Sequence, residues 1–371
     1  MSLSRAWRLA SLALVIAFAL AGCAAPTASP TAAPKAEAKP TEAPKPASPA
    51  ASPAASPGAS PAASPAASPA AEAPKPAAKG PMRTLKVGFI PITDFSGMYV
   101  GIDKGLFAEE GLDLDLQAMQ GGAVIVPALI GGSLDVGITN ILSLLIARDN
   151  GFDVQIVADA AYEGPGPPVH AMIAAANSPV QSAKDLEGKT VGINTFQNIE
   201  HLMVMKWIEK AGGDPKKVNF VEIPFPQMAG AAQQGQIAAG GVVEPFITIA
   251  KSQGLKVVGN QYTEVQPRTY IANLVATRDW IEKNPDAAQS FSRAMTKGNQ
   301  FAMDKANEAQ VRASIAKWTK MDPALANQIA LTPLGIKPEP PLINWWIEEG
   351  KKLGWLKRDQ KAEEILAPFM R

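Results

Sequence analysis

Hydrophobic and polar positions change period along the chain, and each change marks an element. Leu85-Lys86-Val87-Gly88-Phe89-Ile90 is a short apolar run ending at Pro91, which predicts a strand. Positions 97–107 follow with helical spacing and are stopped by Gly111. Leu112-Asp113-Leu114-Asp115-Leu116 alternates strictly, the period of a strand with one wet face. A helix is predicted over 123–130, closed by Gly131-Gly132 and kinked or delayed by Pro127. A strand over 136–139, a helix over 141–148 and a strand over 154–157 come next.

The pattern then repeats. Strands are predicted over 171–175, 190–193, 218–223 and 257–258. Ser182-Ala183-Lys184-Asp185 opens a short capped helix, and helices over 198–210 and 227–234 end at Gly212-Gly213 and Gly235. From Ala287 onward the chain reads as helical, broken by Pro323, Pro333 and the run from Pro338 to Pro341. Strands alternating with helices of this length predict an α/β architecture with largely parallel pairing. There is an internal echo. Gly132-Ser133-Leu134-Asp135-Val136-Gly137 is similar to Gly235-Gln236-Ile237-Ala238-Ala239-Gly240, and Val136-Gly137-Ile138-Thr139-Asn140 to Val191-Gly192-Ile193-Asn194-Thr195. Together with the doubled pattern it predicts two similar lobes.

Composition removes the first 80 residues from this scheme. Arg5 and Arg8 precede an apolar run from Leu9 to Leu20, too short to span a bilayer, and the order of basic start, apolar stretch and small residues is that of a secretory signal. Leu20-Ala21-Gly22-Cys23 resembles the bacterial lipobox, which implies cleavage before Cys23 and a lipid on its thiol. Residues 24–80 hold 14 of the 33 prolines and no Val, Ile, Leu, Met, Phe, Trp or Tyr, so they cannot bury a core. Repeated Ala-Ser-Pro-Ala units predict a disordered tether with polyproline II bias. Cys23 is the single cysteine, which excludes a disulfide, a thiolate metal site and a cysteine nucleophile from residues 81–371. The first 80 residues carry seven basic and three acidic side chains, leaving a small negative excess on the remaining 291. A mildly acidic core with 6% aromatics does not predict a nucleic-acid binder.

Five segments in order carry a family resemblance. They are Val87-Gly88-Phe89-Ile90-Pro91, Lys104-Gly105-Leu106-Phe107-Ala108-Glu109-Glu110-Gly111-Leu112, Gly132-Ser133-Leu134-Asp135, Lys184-Asp185-Leu186-Glu187-Gly188-Lys189-Thr190-Val191-Gly192 and Glu244-Pro245-Phe246. Over about 83–350 the chain resembles the nitrate/sulfonate/taurine/thiamine-precursor group of ABC-transporter substrate-binding proteins. The resemblance implies a two-lobed periplasmic-binding-protein-like fold (type II); ahead of it, the signal peptide read above spans 1–22 and the lipidated Cys23 and linker span 23–80. Lobe 1 would comprise 81–175 and 265–371, and lobe 2 would be 176–264. The two crossovers would lie near 174–178 and 263–272, with the C-terminal helices returning to the first lobe.

Ligands of open α/β sheets sit beyond the carboxyl ends of strands. Those ends carry Asp94, Phe95 and Ser96, then Thr139 and Asn140, then Thr195, Phe196, Gln197 and Asn198, and then Glu244 and Phe246. The segment 195–198 opens a helix, whose free N–H groups favour an anion. Asn140, Thr195 and Asn198 are also plausible helix caps, and Phe95, Phe196 and Phe246 are either stacking platforms or core. Tyr162 begins the loop Tyr162-Glu163-Gly164-Pro165-Gly166-Pro167-Pro168, a possible cleft rim. Asp94 and Glu244 do not suit a bare anion and leave room for a zwitterion or a heteroaromatic solute.

Neither core histidine, His170 or His201, has a partner nucleophile in sequence, and no metal-ligand spacing, P-loop or G-x-S-x-G occurs. The expectation is a non-enzymatic, lipid-anchored extracytoplasmic receptor without cofactor or metal. It would act as a monomer, bind a small organic solute between the lobes and deliver it to an ABC permease and its ATPase. An exported sensor lipoprotein and a pyrimidine-synthase-like enzyme on the same fold are the alternatives.

Overall fold

The structure is a computed structural model and describes residues 82–371. The expected signal peptide, the Cys23 anchor and the tether lie outside the described residues. Ten strands are assigned: β1 Arg83–Phe89, β2 Leu112–Ala118, β3 Val136–Asn140, β4 Val154–Glu163, β5 His170–Ala174, β6 Thr190–Ile193, β7 Asn219–Glu222, β8 Ala239–Val243, β9 Lys256–Gly259 and β10 Thr269–Thr277. They form two five-stranded sheets, ordered β2-β1-β3-β10-β4 and β7-β6-β8-β5-β9. The two orders are equivalent position by position, so the chain has two lobes of one topology. The first sequence echo precedes equivalent strands, β3 and β8. The second pairs β3 with β6, which are not equivalent, and reflects the likeness of any two short apolar strands.

Each sheet is mixed rather than largely parallel. β10 runs antiparallel to β3 and β4, and β5 runs antiparallel to β8 and β9. Both antiparallel strands enter from the opposite lobe, which fixes their direction. The first crossover is 164–169, about ten residues before the expected 174–178, because the hydrogen bonds of β5 place it in the second sheet. The second is 260–268. β8 and β10 carry no strand signal in the sequence pattern: every residue of β8 is buried, as are eight of the nine in β10, so neither shows the period of a half-wet strand.

A glycine pair sets how closely a helix approaches each sheet. Gly88 faces Gly137 across β1 and β3, and Gly192 faces Gly240 across β6 and β8. A Cβ on Gly192 or Gly240 would stand 2.5 Å from Met228 Sδ on helix Phe225–Gln233. A Cβ on Gly88 would stand 2.5 Å from Leu134 Cδ1. The C-terminal segment closes lobe 1: Trp346 is fully buried and donates Nε1–H to Tyr270 O at 2.7 Å, and Ala367 N–H reaches Ile156 O at 2.9 Å.

Gly240→Ala is expected to lower the unfolding free energy by about 1–3 kcal/mol through overpacking. Gly230→Ala on the neighbouring helix, where an added Cβ meets nothing within 4 Å, is expected to raise it by roughly 0.5–1 kcal/mol. Urea unfolding of both variants checks the pair.

Candidate ligand-binding site

The strand ends of both lobes converge on a cavity of about 50 Å³, room for a few water-sized groups. Lobe 1 supplies Ile90, Asp94, Phe95, the Gly121-Gly122 turn, Thr139 and Asn140; lobe 2 supplies Asn194, Asn198, Ile199, Glu200 and Phe225. His170 and Tyr262, at the ends of the two crossovers, complete the wall. The lobes touch around this cavity. Thr93 N–H donates to Glu244 O at 3.0 Å, Lys206 Nζ lies 2.8 Å from Glu349 Oε2, and the His201 and Trp355 rings are 5.2 Å apart.

Local sequence explains two of the polar contributors. Asn140 accepts from Ser143 N–H and caps helix Ile141–Asp149; Asn198 accepts from His201 N–H and caps helix Ile199–Lys210. Both still present a face to the cavity, so capping and lining coincide. Capping Asn198 fixes the first turn of its helix, and with it Glu200. That carboxylate lies over Gly241 of β8, where any Cβ would overlap it.

A buried charge cluster forms the cavity's polar wall. His170 Nδ1 is 2.7 Å from Glu163 Oε2, and Asn260 Nδ2 donates to Glu163 Oε1 at 3.1 Å. Glu200 accepts from Gln261 Nε2 at 2.9 Å and from the Tyr262 hydroxyl at 3.2 Å. Asp94 is 2% exposed, yet its hydrogen bond from Thr332 Oγ1 is long at 3.4 Å and His170 Nε2 stands 3.7 Å away. Both contacts exceed ordinary hydrogen-bond length, so Asp94 retains acceptor capacity toward the cavity.

Burial raises the Asp94 pKa to about 6, with the His170 charge opposing and Glu163 adding to the rise. Burial likewise raises Glu200 to about 7 against the pull of His170 and the hydrogen bonds from Tyr262 and Gln261. For His170 burial acts downward, but the Asp94 and Glu163 carboxylates outweigh it and hold its pKa at about 9. His170 therefore stands among the carboxyl groups of Asp94, Glu163 and Glu200, of which Asp94 and Glu200 line the cavity.

Of the residues expected at the site, Asp94, Phe95, Thr139, Asn140 and Asn198 line the cavity. The structure places the others elsewhere. Ser96 is buried in the first turn of helix Ser96–Asp103. Tyr162 is not in a rim loop: β4 extends through it, and the residue is buried with its hydroxyl donating to Asp159 Oδ2 at 2.9 Å in the lobe 1 core. Thr195 Oγ1 donates to its own neighbour Asn194 O at 2.8 Å rather than capping a helix. Phe196 is 45% exposed with its ring edge against His201, and Gln197 N–H donates to His201 Nδ1 at 3.2 Å. Glu244 is turned into its own loop, accepting from Thr248 N–H, Thr248 Oγ1 and Ala330 N–H at 3.1, 2.8 and 3.3 Å. Phe246 stacks on Phe225 outside the cavity, with centroids 6.0 Å apart. The helix start at 195–198 is a poor anion site, because Glu200 puts a carboxylate in that first turn. His170, Glu200 and Tyr262 escaped sequence reasoning as site residues, and Glu163 was read only as part of a rim loop. The available signal was position alone: Glu163 and His170 bracket the Gly/Pro-rich crossover, and Glu200 precedes His201.

Comparison with known proteins fixes the family. Residues 92–309, more than half of the chain, match the NMT1/THI5-like family model. The chain belongs to the NMT1/THI5-like family. Its curated relatives include the formylaminopyrimidine-binding protein of Halalkalibacterium halodurans, 24% identical over 57% of this chain and 63% of that protein. The riboflavin-binding protein RibY of Chloroflexus aurantiacus is 26% identical over 64% of this chain and 67% of its own length. The bicarbonate-binding protein CmpA of Synechococcus elongatus is 25% identical over 62% of this chain and 56% of its own length. The matches thus span 56% to 67% of these relatives' own length. Among solved structures, the periplasmic aliphatic sulphonate-binding protein SsuA of Escherichia coli superposes with a TM-score of 0.62 at 18% identity, covering 78% of this chain and 99% of that one. The periplasmic nitrate-binding protein NrtA of Synechocystis gives 0.63 at 16% identity, covering 76% and 85%. These likenesses establish the periplasmic-binding-protein fold.

The His170 pKa is raised from its ordinary 6.5 to about 9, so its ion pairs stabilise the fold fully below pH 6.5, and that contribution is lost as pH climbs through 9. The unfolding free energy is expected to fall between about pH 7 and 10, and His170→Gln to flatten that fall. Urea titrations at a series of pH values read both; an unchanged slope in the variant would contradict the assignment.

Proposed function

We propose that this protein is a lipid-anchored extracytoplasmic solute receptor of an ABC importer, and that its solute is a small nitrogen heteroaromatic with a protonated or amidine-like nitrogen. The fold, the family and relatives that are themselves named as binding proteins support the receptor role. The chain would act as a monomer, held at the membrane by a lipid on Cys23, and hand its solute to a permease. No enzymatic step is assigned to it.

The observation that carries the solute class is the under-satisfied Asp94 carboxylate in a cavity whose other acid is Glu200. A buried acceptor of this kind is stabilised by a donor, above all a cationic one. An oxyanion such as a sulfonate, nitrate or bicarbonate would meet like charge there. The apolar and aromatic wall of Ile90, Phe95, Ile199, Phe225 and Tyr262 suits a planar ring. Asn140, Asn194 and Asn198 offer amide donors and acceptors to ring nitrogens and substituents. An aminopyrimidine combines these features, and one curated relative is named for a formylaminopyrimidine.

Thermal-shift measurement of the full chain against 4-aminopyrimidines, riboflavin, taurine, nitrate and bicarbonate tests the reading. A true ligand at 100 times its Kd adds about 2.7 kcal/mol of stability. The aminopyrimidines are expected to raise the melting temperature and the anions to leave it unchanged; the reverse order overturns the solute class. Asp94→Asn is expected to weaken aminopyrimidine binding by roughly 10- to 100-fold, the worth of a hydrogen bond to a charged group. Calorimetric titration reads that loss. Cys23→Ala is expected to release the protein from the membrane fraction.

A further inference from the structure

The acidic cavity has a neighbour. A second space of about 270 Å³ lies between the lobes, walled by Met119 and Pro91 from lobe 1 and by Pro224, Pro226 and Phe246 from lobe 2. Ile90 and Phe225 belong to both walls, so the two spaces share a partition. Phe225 is the larger part of it. Its ring stacks on Phe246 with centroids 6.0 Å apart and planes 23° apart, and both rings pack against the cores of both lobes. Pro224 and Pro226 flank Phe225 and restrict its backbone. Met119 is held opposite by its N–H donating to Phe89 O at 2.8 Å. The chamber therefore exists where the two lobes meet, on the other side of Ile90 and Phe225 from the site.

The chemistry of the two spaces differs sharply. One presents Asp94, Glu200 and His170; the other presents Met, Pro and Phe side chains, with Gln120 and Gln227 at its exposed edge. An apolar chamber that opens beside a charged cavity suits a molecule that is polar at one end and apolar at the other.

We propose that the acidic cavity and this chamber are two compartments of one ligand site divided by Phe225, and that the solute places a basic nitrogen head in the first and an apolar substituent in the second. This rests on the reading of the acidic cavity above and specifies what the solute carries beyond its head. Burying the substituent against Met119 and Phe246 contributes affinity through the hydrophobic effect, while Asp94 and Glu200 select the head.

Calorimetric titration of the full chain with two series tests this: n-alkylamines from propyl to octyl, and 4-aminopyrimidines bearing progressively longer alkyl groups. Each added methylene is expected to tighten binding by about three- to fourfold until the chamber is filled. Met119→Gln, which makes the chamber polar, and Gln227→Trp, which fills it from its exposed edge, are each expected to flatten that dependence on chain length. If short amines and 4-aminopyrimidine bind but lengthening brings no gain, or if the gain persists in both variants, the two-compartment inference is wrong and the head assignment stands. If alkylamines gain with length and lose the gain in the variants while no aminopyrimidine binds, the chamber stands and the heteroaromatic head falls. Binding by no member of either series overturns both.

Discussion

Burying charge is costly unless each group finds a partner, and that constraint organises the middle of this molecule. Glu163 and His170 end β4 and begin β5, so they stand at the two ends of the first crossover, and Asn260, Gln261 and Tyr262 lie at the start of the second. The connections that join the lobes are therefore the segments that satisfy the buried acids. Glu163 takes His170 and Asn260, and Glu200 takes Gln261 and Tyr262. Burial holds the Tyr262 phenol protonated well above its usual range, with the Glu200 charge adding to that effect, so its hydroxyl remains a donor. Asp94 is the acid left with long contacts, and it faces the cavity. On the proposed reading a donor from solution would complete the arrangement, and would do so against both lobes and both crossovers at once. A ligand with these contacts favours the form in which the lobes meet.

Much of the fold was legible in the sequence because its strands are short, apolar and punctuated by Gly and Pro. The edge strand β2 announced itself by alternation, and the helix after β6 by its stop at Gly212-Gly213. What escaped notice were β8 and β10, buried on both faces, and they hold the sheets together. Asn273, a residue type depleted in strands, further disguises it. The crossover position was misread for a related reason: β4 is buried along all ten residues, so no change of period marks its continuation to Glu163.

The cavity was legible in outline, and its buried charge cluster was not. The strand ends include Phe95, Thr139, Asn140 and Asn198, which line the cavity. Helix-start reasoning also suggested an anion, which holds only while no side chain occupies the first turn. Glu200 occupies it, and the room for it comes from Gly241 on a strand that the sequence did not reveal. Charge at the cleft thus depends on a contact between a helix start and a distant glycine, which spacing along the chain does not encode. The named relatives bind chemically unlike solutes. Family membership therefore sets the two-lobed frame, while individual side chains set what the cleft accepts.

The central claim is that this cleft reads positive charge. The most direct measurement is the affinity of one solute whose charge does not change, n-propylammonium, followed by calorimetry from about pH 5 to pH 8. Asp94 and Glu200 ionise across that range, with pKa values of about 6 and about 7. Binding is predicted to tighten by roughly tenfold or more as they do. Affinity that is flat across the range, or that strengthens toward acid as it would at an anion site, would contradict the account.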